Sequence, residues 1–373
     1  MTKVYMIAAK RSAVVPRHGA FASLDLHDLA APVIKDLLKS VKIKSSQIDS
    51  LFLGNALYGG GNPARMTALA AKLPERMPSF SIDTQCCSGM DSIILAAQRV
   101  ASGQDKITIA GGAESYSRSP RRFKRAFSMD EEDMEYLRPP FAPWPDRDPD
   151  MLTSAAKLAA DYEITRQDQE KFAIESHRKS GSAVDEITPI HDITTDQFTR
   201  NLSAKTCAKL PVLEGGTEYG LTSATTAVEA DAAAFIILTN QEIVDKLRIK
   251  DALLILDSQS QGGDPIYPAL APIAATRTLM QRQNISTEEI DKFEVMEAFA
   301  VQAMIYQNHF NISSEKLNLG GGGLSRGHAI GASGAINLVR LWYELQNSPS
   351  KSKGLAAIAA AGGLGTAILL EKP

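Results

Sequence analysis

Cys86-Cys87-Ser88-Gly89-Met90 and Gly327-His328-Ala329-Ile330-Gly331-Ala332-Ser333-Gly334 share a Ser-Gly pair, and each leads into apolar residues at helical spacing. After the first come Ile93, Ile94, Ala97 and Val100; after the second come Ile336, Leu338, Val339 and Leu341. Cys86 stands before one copy and His328 before the other, so two halves of one chain can supply a nucleophile and its base. A thiol at a helix N-terminus meets orphan backbone N–H groups and the positive end of the dipole, which favour the thiolate that attacks carbonyl carbon. Free cysteines also serve as small buried residues, and the pentapeptide by itself leaves both readings of Cys86 open.

The match extends outward. Ile48-Asp49-Ser50-Leu51-Phe52-Leu53-Gly54-Asn55-Ala56 parallels Ile290-Asp291-Lys292-Phe293-Glu294-Val295-Met296-Glu297-Ala298 at an offset of 242 (290 minus 48). The Ser-Gly pairs lie 245 apart (333 minus 88). A strand ending in Gly-Gly, Ile107 to Gly112, matches Ala357 to Gly363, with the glycine pairs 251 apart (362 minus 111). Three matches in one order at nearly one offset indicate an internal duplication. Each half reads strand, helix, strand, helix, strand, the alternation of a sheet covered by helices on its faces. Two such halves stacked about a pseudo-twofold axis bring the Cys86 and His328 loops together.

The chain has 373 residues, room for two or three domains with substantial cores. A net charge of −3 and a pI near 6.1 give no electrostatic reason to expect nucleic acid. Its three cysteines, Cys86, Cys87 and Cys207, form neither a disulfide framework nor a zinc site, so no metal is expected and the cysteines fit a reducing compartment. Only a short apolar run, Val4 to Ala9, precedes Lys10 and Arg11, so no secretory signal and a cytoplasmic protein are expected. The longest uncharged stretch, Gly354 to Leu370, has 17 residues rich in Gly and Ala and reads as two buried strands joined by a glycine turn, not a membrane span of about 20 apolar residues.

One segment interrupts the repeat. From Arg118 to about Lys205 the composition turns polar: Arg118, Arg121, Arg122, Lys124 and Arg125, an acidic run Asp130-Glu131-Glu132-Asp133, and six prolines between Pro120 and Pro149. This reads as an insertion carried on the first half. The domain division is therefore 1–117 with 206–248 for the first half, 118–205 for the inserted loop domain, and 249–373 for the second half. Within the insertion, Thr165-Arg166-Gln167-Asp168-Gln169-Glu170 starts a helix with Phe172, Ala173 and Ser176. The basic cluster either binds the phosphates of a nucleotide-bearing substrate or is a solvated face.

Taken in order, Asn62-Pro63-Ala64-Arg65, the Cys86 pentapeptide, Ala110-Gly111-Gly112-Ala113-Glu114-Ser115, Glu297-Ala298-Phe299-Ala300, Gly327-His328 with Gly331 to Gly334, and Gly362-Gly363-Leu364-Gly365 resemble the signatures of the thiolase family over nearly the whole chain. The resemblance implies an α/β thiolase fold: two duplicated five-stranded α/β halves in a layered sandwich, an inserted loop domain that binds coenzyme A, and homodimers or homotetramers. It implies that Cys86 takes an acyl group from acyl-CoA while His328 activates the thiol, with an oxyanion site built from the Cys86 and Ala361 amides. Coenzyme A and acyl-CoA enter as substrates, with no permanently bound cofactor and neither nucleic acid nor membrane as partner.

The pattern also departs from the family's. Where carbon–carbon-bonding thiolases carry a second cysteine as acid/base, this chain has Ala359, and where they carry Asn or His beside the catalytic histidine it has Met296, which lacks an N–H or O–H donor. The pantetheine-lining stretch is matched only loosely, by Ser223 to Thr226, and Phe299 joins them as a coenzyme A contact; a Met-Gly pair at a loop-domain helix start is replaced by Met151-Leu152. Three functions follow: a thiolase-like acyltransferase that passes the Cys86 acyl group to a CoA thiol or an acetyl-CoA carbon, with the carbon–carbon step impaired and Glu297, Cys87 or water as substitute base; acyl transfer or thioester hydrolysis without Claisen chemistry; or a non-catalytic acyl-CoA-binding or complex subunit.

Overall fold

The computed structural model describes residues 2–41, 43–181 and 185–373. The first half contributes strands β1 (Val4–Arg11), β2 (Ser50–Gly54), β3 (Ser79–Ile82), β4 (Ile107–Glu114) and β5 (Ala230–Asn240), and the second half β6 (Leu253–Gly262), β7 (Lys292–Val295), β8 (Lys353–Ala360) and β9 (Leu364–Glu371). Their spatial order is β7-β8-β9-β6-β1-β5-β4-β2-β3. Each half has the same topology read from the middle outward. In the second half the place of β3 is reduced to a single parallel bridge between Phe293 and Leu317. The two half-sheets meet edge to edge where Tyr5 and Met6 of β1 pair with Leu254 and Leu253 of β6.

Seven longer helices cover and separate the sheets: α1 (Leu26–Ser40), α2 (Ser88–Ala101), α3 (Met151–Asp161), α4 (Arg166–Lys179), α5 (Ala271–Gln283), α6 (Ala300–His309) and α7 (Ile330–Gln346). The two Ser-Gly helices, α2 and α7, pack on each other in the middle; α2 lies on β2 and β4, and α7 touches β4, β5, β7 and β8. Outside them α1 covers β1 and β5, and α5 covers β6 and β9. The stripe on α1 explains its place: Leu29, Val33, Ile34 and Leu37 recur at three and four residues and are all buried, and Asp25 with Asp28 forms a capping box at its start.

The α2–α7 contact carries the duplication. A Cβ on Gly89 would lie 3.3 Å from the Ala335 Cβ, and one on Gly334 would lie 2.9 Å from the Met90 Cβ. Since 334 minus 89 and 335 minus 90 both equal 245, these are one contact seen twice across a pseudo-twofold axis. The glycine-pair match at 251 does not survive. Leu51 faces Ile109 and Phe293 faces Leu355, which sets β4 against β8 at 246 (355 minus 109) and aligns Gly111-Gly112 with Ala357-Ile358. The two glycine pairs exist for different reasons. A Cβ on Gly112 would overlap the Gly331 carbonyl, whereas Gly362 and Gly363 form the β8–β9 turn with φ of 81° at both residues.

The insertion holds α3, α4 and a small hairpin, Arg122–Lys124 with Met134–Tyr136. Thr165 caps α4 by accepting from the Asp168 amide. The boundary expected at residue 205 is displaced. Glu186 to Gln197 returns to the first half, with the Thr188 amide donating to the Arg11 carbonyl (2.7 Å) and the Gln197 amide to the Val14 carbonyl (3.0 Å). Ala204–Cys207 and Gly216–Tyr219 then pack on α3 and α4 and belong with the insertion. Ile187 and Ile190 of the returning segment join the first-half core, and buried charge ties it further: fully buried Arg11 meets Glu186 at 2.6 Å and Asp196 at 2.7 Å, and Arg340 of α7 shares Glu186 at 2.6 Å. Among the described residues no helix is long and apolar enough to cross a membrane.

Candidate active site

The turn between β3 and α2 sets the orientation of two adjacent thiols. The Cys87 amide donates to the Thr84 carbonyl (3.2 Å), the Ser88 amide to the Gln85 carbonyl (3.0 Å), and the Thr84 amide to the Ser88 hydroxyl (2.9 Å). Gln85 is held in the left-handed region, φ 55°, at a cost of about 1 kcal/mol or more for a residue with a Cβ. The consequence is that Cys86 lines a cavity while Cys87 turns into the core, its thiol against the Ile358 carbonyl at 3.6 Å.

His328 arrives from the other half. Gly327, at φ 113°, reverses the chain before it, and His328 then pairs with the first half: its amide donates to the Val228 carbonyl (2.7 Å) and its carbonyl accepts from the Ala230 amide (3.3 Å). The imidazole Nε2 lies 3.1 Å from the Cys86 Sγ. Nδ1 lies 2.7 Å from the Ser333 Oγ, whose own proton is donated to the Ala329 carbonyl at 2.9 Å. Ser333 can therefore only accept from the ring, so Nδ1 carries the proton and Nε2 presents its lone pair to the thiol. Ser333 repeats Ser88 in the sequence, but its role as the tautomer lock is visible only once α7 is folded.

Burial decides the resting protonation. It pushes the Cys86 thiol up to about 12, against the amides of Ala361 and Cys86 itself, which draw it down; Glu114 and Asp83 add negative charge that raises it further. Burial likewise lowers His328 to about 4. The helix-dipole expectation of a resting thiolate is thus outweighed by desolvation, and the pair rests as neutral thiol and neutral imidazole.

Glu114, at the end of β4, holds the two loops in register. Its carboxylate accepts from the amides of Ala56 (3.0 Å), Leu57 (3.2 Å) and Gly331 (2.9 Å) and from the Asn55 side chain. Burial nevertheless raises it to about 7. The Ala110–Ser115 stretch marked this region, but its composition gave no sign that Glu114 bridges both halves.

The cavity beside Cys86 has a volume of about 420 Å³, within the range of small-ligand pockets. Thr226 and Phe299 line it and are joined by a backbone bridge, while Ser223 is solvent-exposed and outside the lining. Ala359 and Ala361 line it; Met296 does not, because its side chain is buried in the central core. Neither substitute base suggested by the sequence reaches it. Cys87 faces inward, and Glu297 is bound by Ser176 (2.6 Å) and Asn318 (2.6 Å) outside the cavity wall. Gln302, Tyr116 and Glu229, which carried no motif, do line the cavity. The exposed group Asp25, His27 and Asp28 is close enough together to ligate a metal, but it lies outside this cavity.

Thiol, imidazole and two convergent amides make up the equipment of nucleophilic acyl transfer. Comparison with known proteins agrees with the architecture. Residues 4–242 match the family model for the thiolase N-terminal domain and 250–372 that for the thiolase C-terminal domain. The chain is 35% identical over 376 residues to a Bacillus subtilis (strain 168) protein named "Putative acetyl-CoA C-acetyltransferase YhfS", covering 98% of both. It is 33% identical to one from Staphylococcus aureus (strain MW2) named "Putative acetyl-CoA C-acetyltransferase VraB", covering 100% of both. The crystal structure of the Bacillus anthracis acetyl-CoA acetyltransferase superposes with a TM-score of 0.91 at 28% identity, covering 100% of this chain and 99% of that one. In sequence, in duplicated topology and in the placement of its two halves, this chain belongs to the thiolase family.

Proposed function

We propose that the protein is an acyltransferase that takes an acyl group from acyl-CoA onto Cys86 and passes it to a CoA thiol or an acetyl-CoA carbon. The observation that carries this reading is the 3.1 Å approach of His328 Nε2 to Cys86 Sγ, with the tautomer set by Ser333. As Sγ attacks the thioester carbonyl, its proton moves to Nε2, the oxyanion meets the Cys86 and Ala361 amides, and the proton leaves with the departing CoA thiolate. The cavity fits an amide-bearing arm: Thr226 Oγ1 and Gln302 Nε2 on its wall are buried without a partner among the described residues. Arg122 on the same wall, which donates to the Ala56 carbonyl at 3.1 Å, supplies positive charge for phosphates, whereas Arg138 is paired with Asp148 at 2.6 Å.

The second half-reaction is weaker than in cysteine-bearing thiolases. Ala359 faces the cavity with a methyl group that cannot move a proton, and loss of a positioned acid/base typically costs ~10² to 10⁴ in rate. Thiolysis of acetoacetyl-CoA is therefore expected to be slower by about that factor, and turnover equal to that of a cysteine-bearing thiolase would contradict the reading. Cytoplasmic location and assembly as a homodimer or homotetramer belong to the same proposal; free Cys86, Cys87 and Cys207 accord with the former. The deciding experiment is intact mass after incubation with acetyl-CoA and longer acyl-CoAs, with Cys86→Ala as control. An adduct that depends on Cys86 supports acyl transfer; binding without any adduct favours a non-catalytic acyl-CoA-binding protein.

A further inference from the structure

With Ala359 inert and Glu297 and Cys87 directed elsewhere, a proton-transfer group for the second half-reaction has to be sought among the ionisable residues that do line the cavity. Apart from Cys86 and His328, these include Asp150, Tyr116 and Glu229. Asp150 caps α3, accepting from the Leu152 amide at 2.9 Å. Tyr116 and Glu229 remain, and Arg17 touches both.

Glu229 sits on the segment that pairs with His328, so its backbone flanks the catalytic base. Its carboxylate is half exposed and is held by Arg17 at 2.7 Å; Arg17 in turn lies over the Tyr116 ring, 5.4 Å from the centroid. Arg17 therefore fixes the carboxylate and the phenol relative to each other. Tyr116 is largely buried on the other side, close enough to feel charge on Cys86 and Glu114 as well as on Glu229. Burial first, and the Glu229 charge next, hold its pKa well above the ordinary phenol value. The phenol accordingly keeps its proton at rest, as a relay requires. A phenol on the cavity wall thus shares Arg17 with a carboxylate that is half open to solvent.

We infer that Tyr116 and Glu229 form the proton relay of the second half-reaction, a role for which the alanine at 359 has no group. The inference rests on the acyltransferase reading above. In the condensing direction the α-C–H bond of a bound acetyl thioester breaks, and its proton goes to the Tyr116 oxygen as the Tyr116 O–H proton passes to the Glu229 carboxylate. The electron pair stays on the substrate as an enolate. The enolate carbon attacks the carbonyl of the Cys86 thioester, forming the C–C bond and expelling the Cys86 thiolate. The proton on Glu229 returns through Tyr116 to that sulfur, so no other acid, base or oxidant is needed.

The test measures two half-reactions on the full chain. Deuterium uptake into the methyl group of acetyl-CoA in D₂O reports α-proton transfer, and intact mass reports acylation of Cys86. Glu229→Gln and Tyr116→Phe are expected to slow deuterium uptake by about 10² or more, well beyond any effect on acylation, and Glu229→Asp to recover part of it. Thermal melts of each variant establish that it is folded. Uptake at the wild-type rate in folded Glu229→Gln and Tyr116→Phe, or wild-type uptake no faster than in buffer, overturns the relay. Failure of Cys86 to acylate in the wild type overturns the acyltransferase reading instead, so the two failures are told apart.

Discussion

At the residue scale, the geometry predicts graded losses along the path Cys86–His328–Ser333. His328→Ala removes the base in contact with the thiol, and acylation of Cys86 by acyl-CoA is expected to slow by ~10² to 10⁴. Ser333→Ala removes one hydrogen bond that sets the tautomer, worth about 1 kcal/mol, and a several-fold loss is expected. Rapid-quench mass spectrometry of the acyl-enzyme orders the two, and equal losses would contradict their separate roles. The same half-buried pair predicts the pH response. The active form needs neutral Nε2, and with His328 near 4 that form is already filled well below neutrality. With Cys86 near 12, no thiolate limb enters at mild alkaline pH. With Glu114, raised to about 7, replaced by Gln, the acylation rate is therefore expected to be flat from roughly pH 5 to 9, and a rise centred on the ordinary histidine pKa in that variant would contradict it.

At the element scale, the active site depends on how closely the two central helices and the strand ends approach. Gly112 of β4 lies against the Gly331 carbonyl at the start of α7, where an added Cβ would meet backbone that has no room to move. Gly112→Ala is expected to destabilise the fold by about 1–3 kcal/mol or more, measured by denaturant unfolding, and to weaken the Glu114–Gly331 contact next to it. An unchanged unfolding midpoint would mean that the two halves are packed more loosely than described. Much of this level was legible in the sequence. The helices α2 and α7 follow from apolar spacing, and the β8–β9 hairpin from its glycine turn. The misaligned glycine pairs show the limit: a residue chosen for close packing and one chosen for positive φ are written with the same letter.

At the scale of the whole molecule, the insertion is anchored by buried charge. Arg11 and Arg340 bind Glu186 from a strand and a helix of different halves, and Arg11 also binds Asp196. Arg11→Ala would leave Glu186 with Arg340 alone and Asp196 without an arginine, and is expected to cost about 3–5 kcal/mol. Equilibrium unfolding checks it, and a loss below 1 kcal/mol, the scale of a surface pair, would mean the cluster is solvated. This clamp also explains why the domain boundary could not be drawn from composition. Residues 186–197 are as polar as the insertion around them, yet they belong to the first half because the partners of their charges and amides are there.

The sequence by itself determined the duplication, the two-half α/β architecture and the pairing of Cys86 with His328, because periodicity and repeated motifs are local properties that survive without coordinates. It also showed what is missing, since Ala359 and Met296 cannot transfer a proton in any fold. Only the tertiary structure decided which residues share the cavity. The Ser333 lock, the Glu114 bridge and the Tyr116–Glu229 pair depend on contacts between segments about 110 to 220 residues apart or on the pitch of one helix turn, and the rest state of the thiol depends on burial. Neither long-range proximity nor desolvation is encoded in the spacing of residues along the chain.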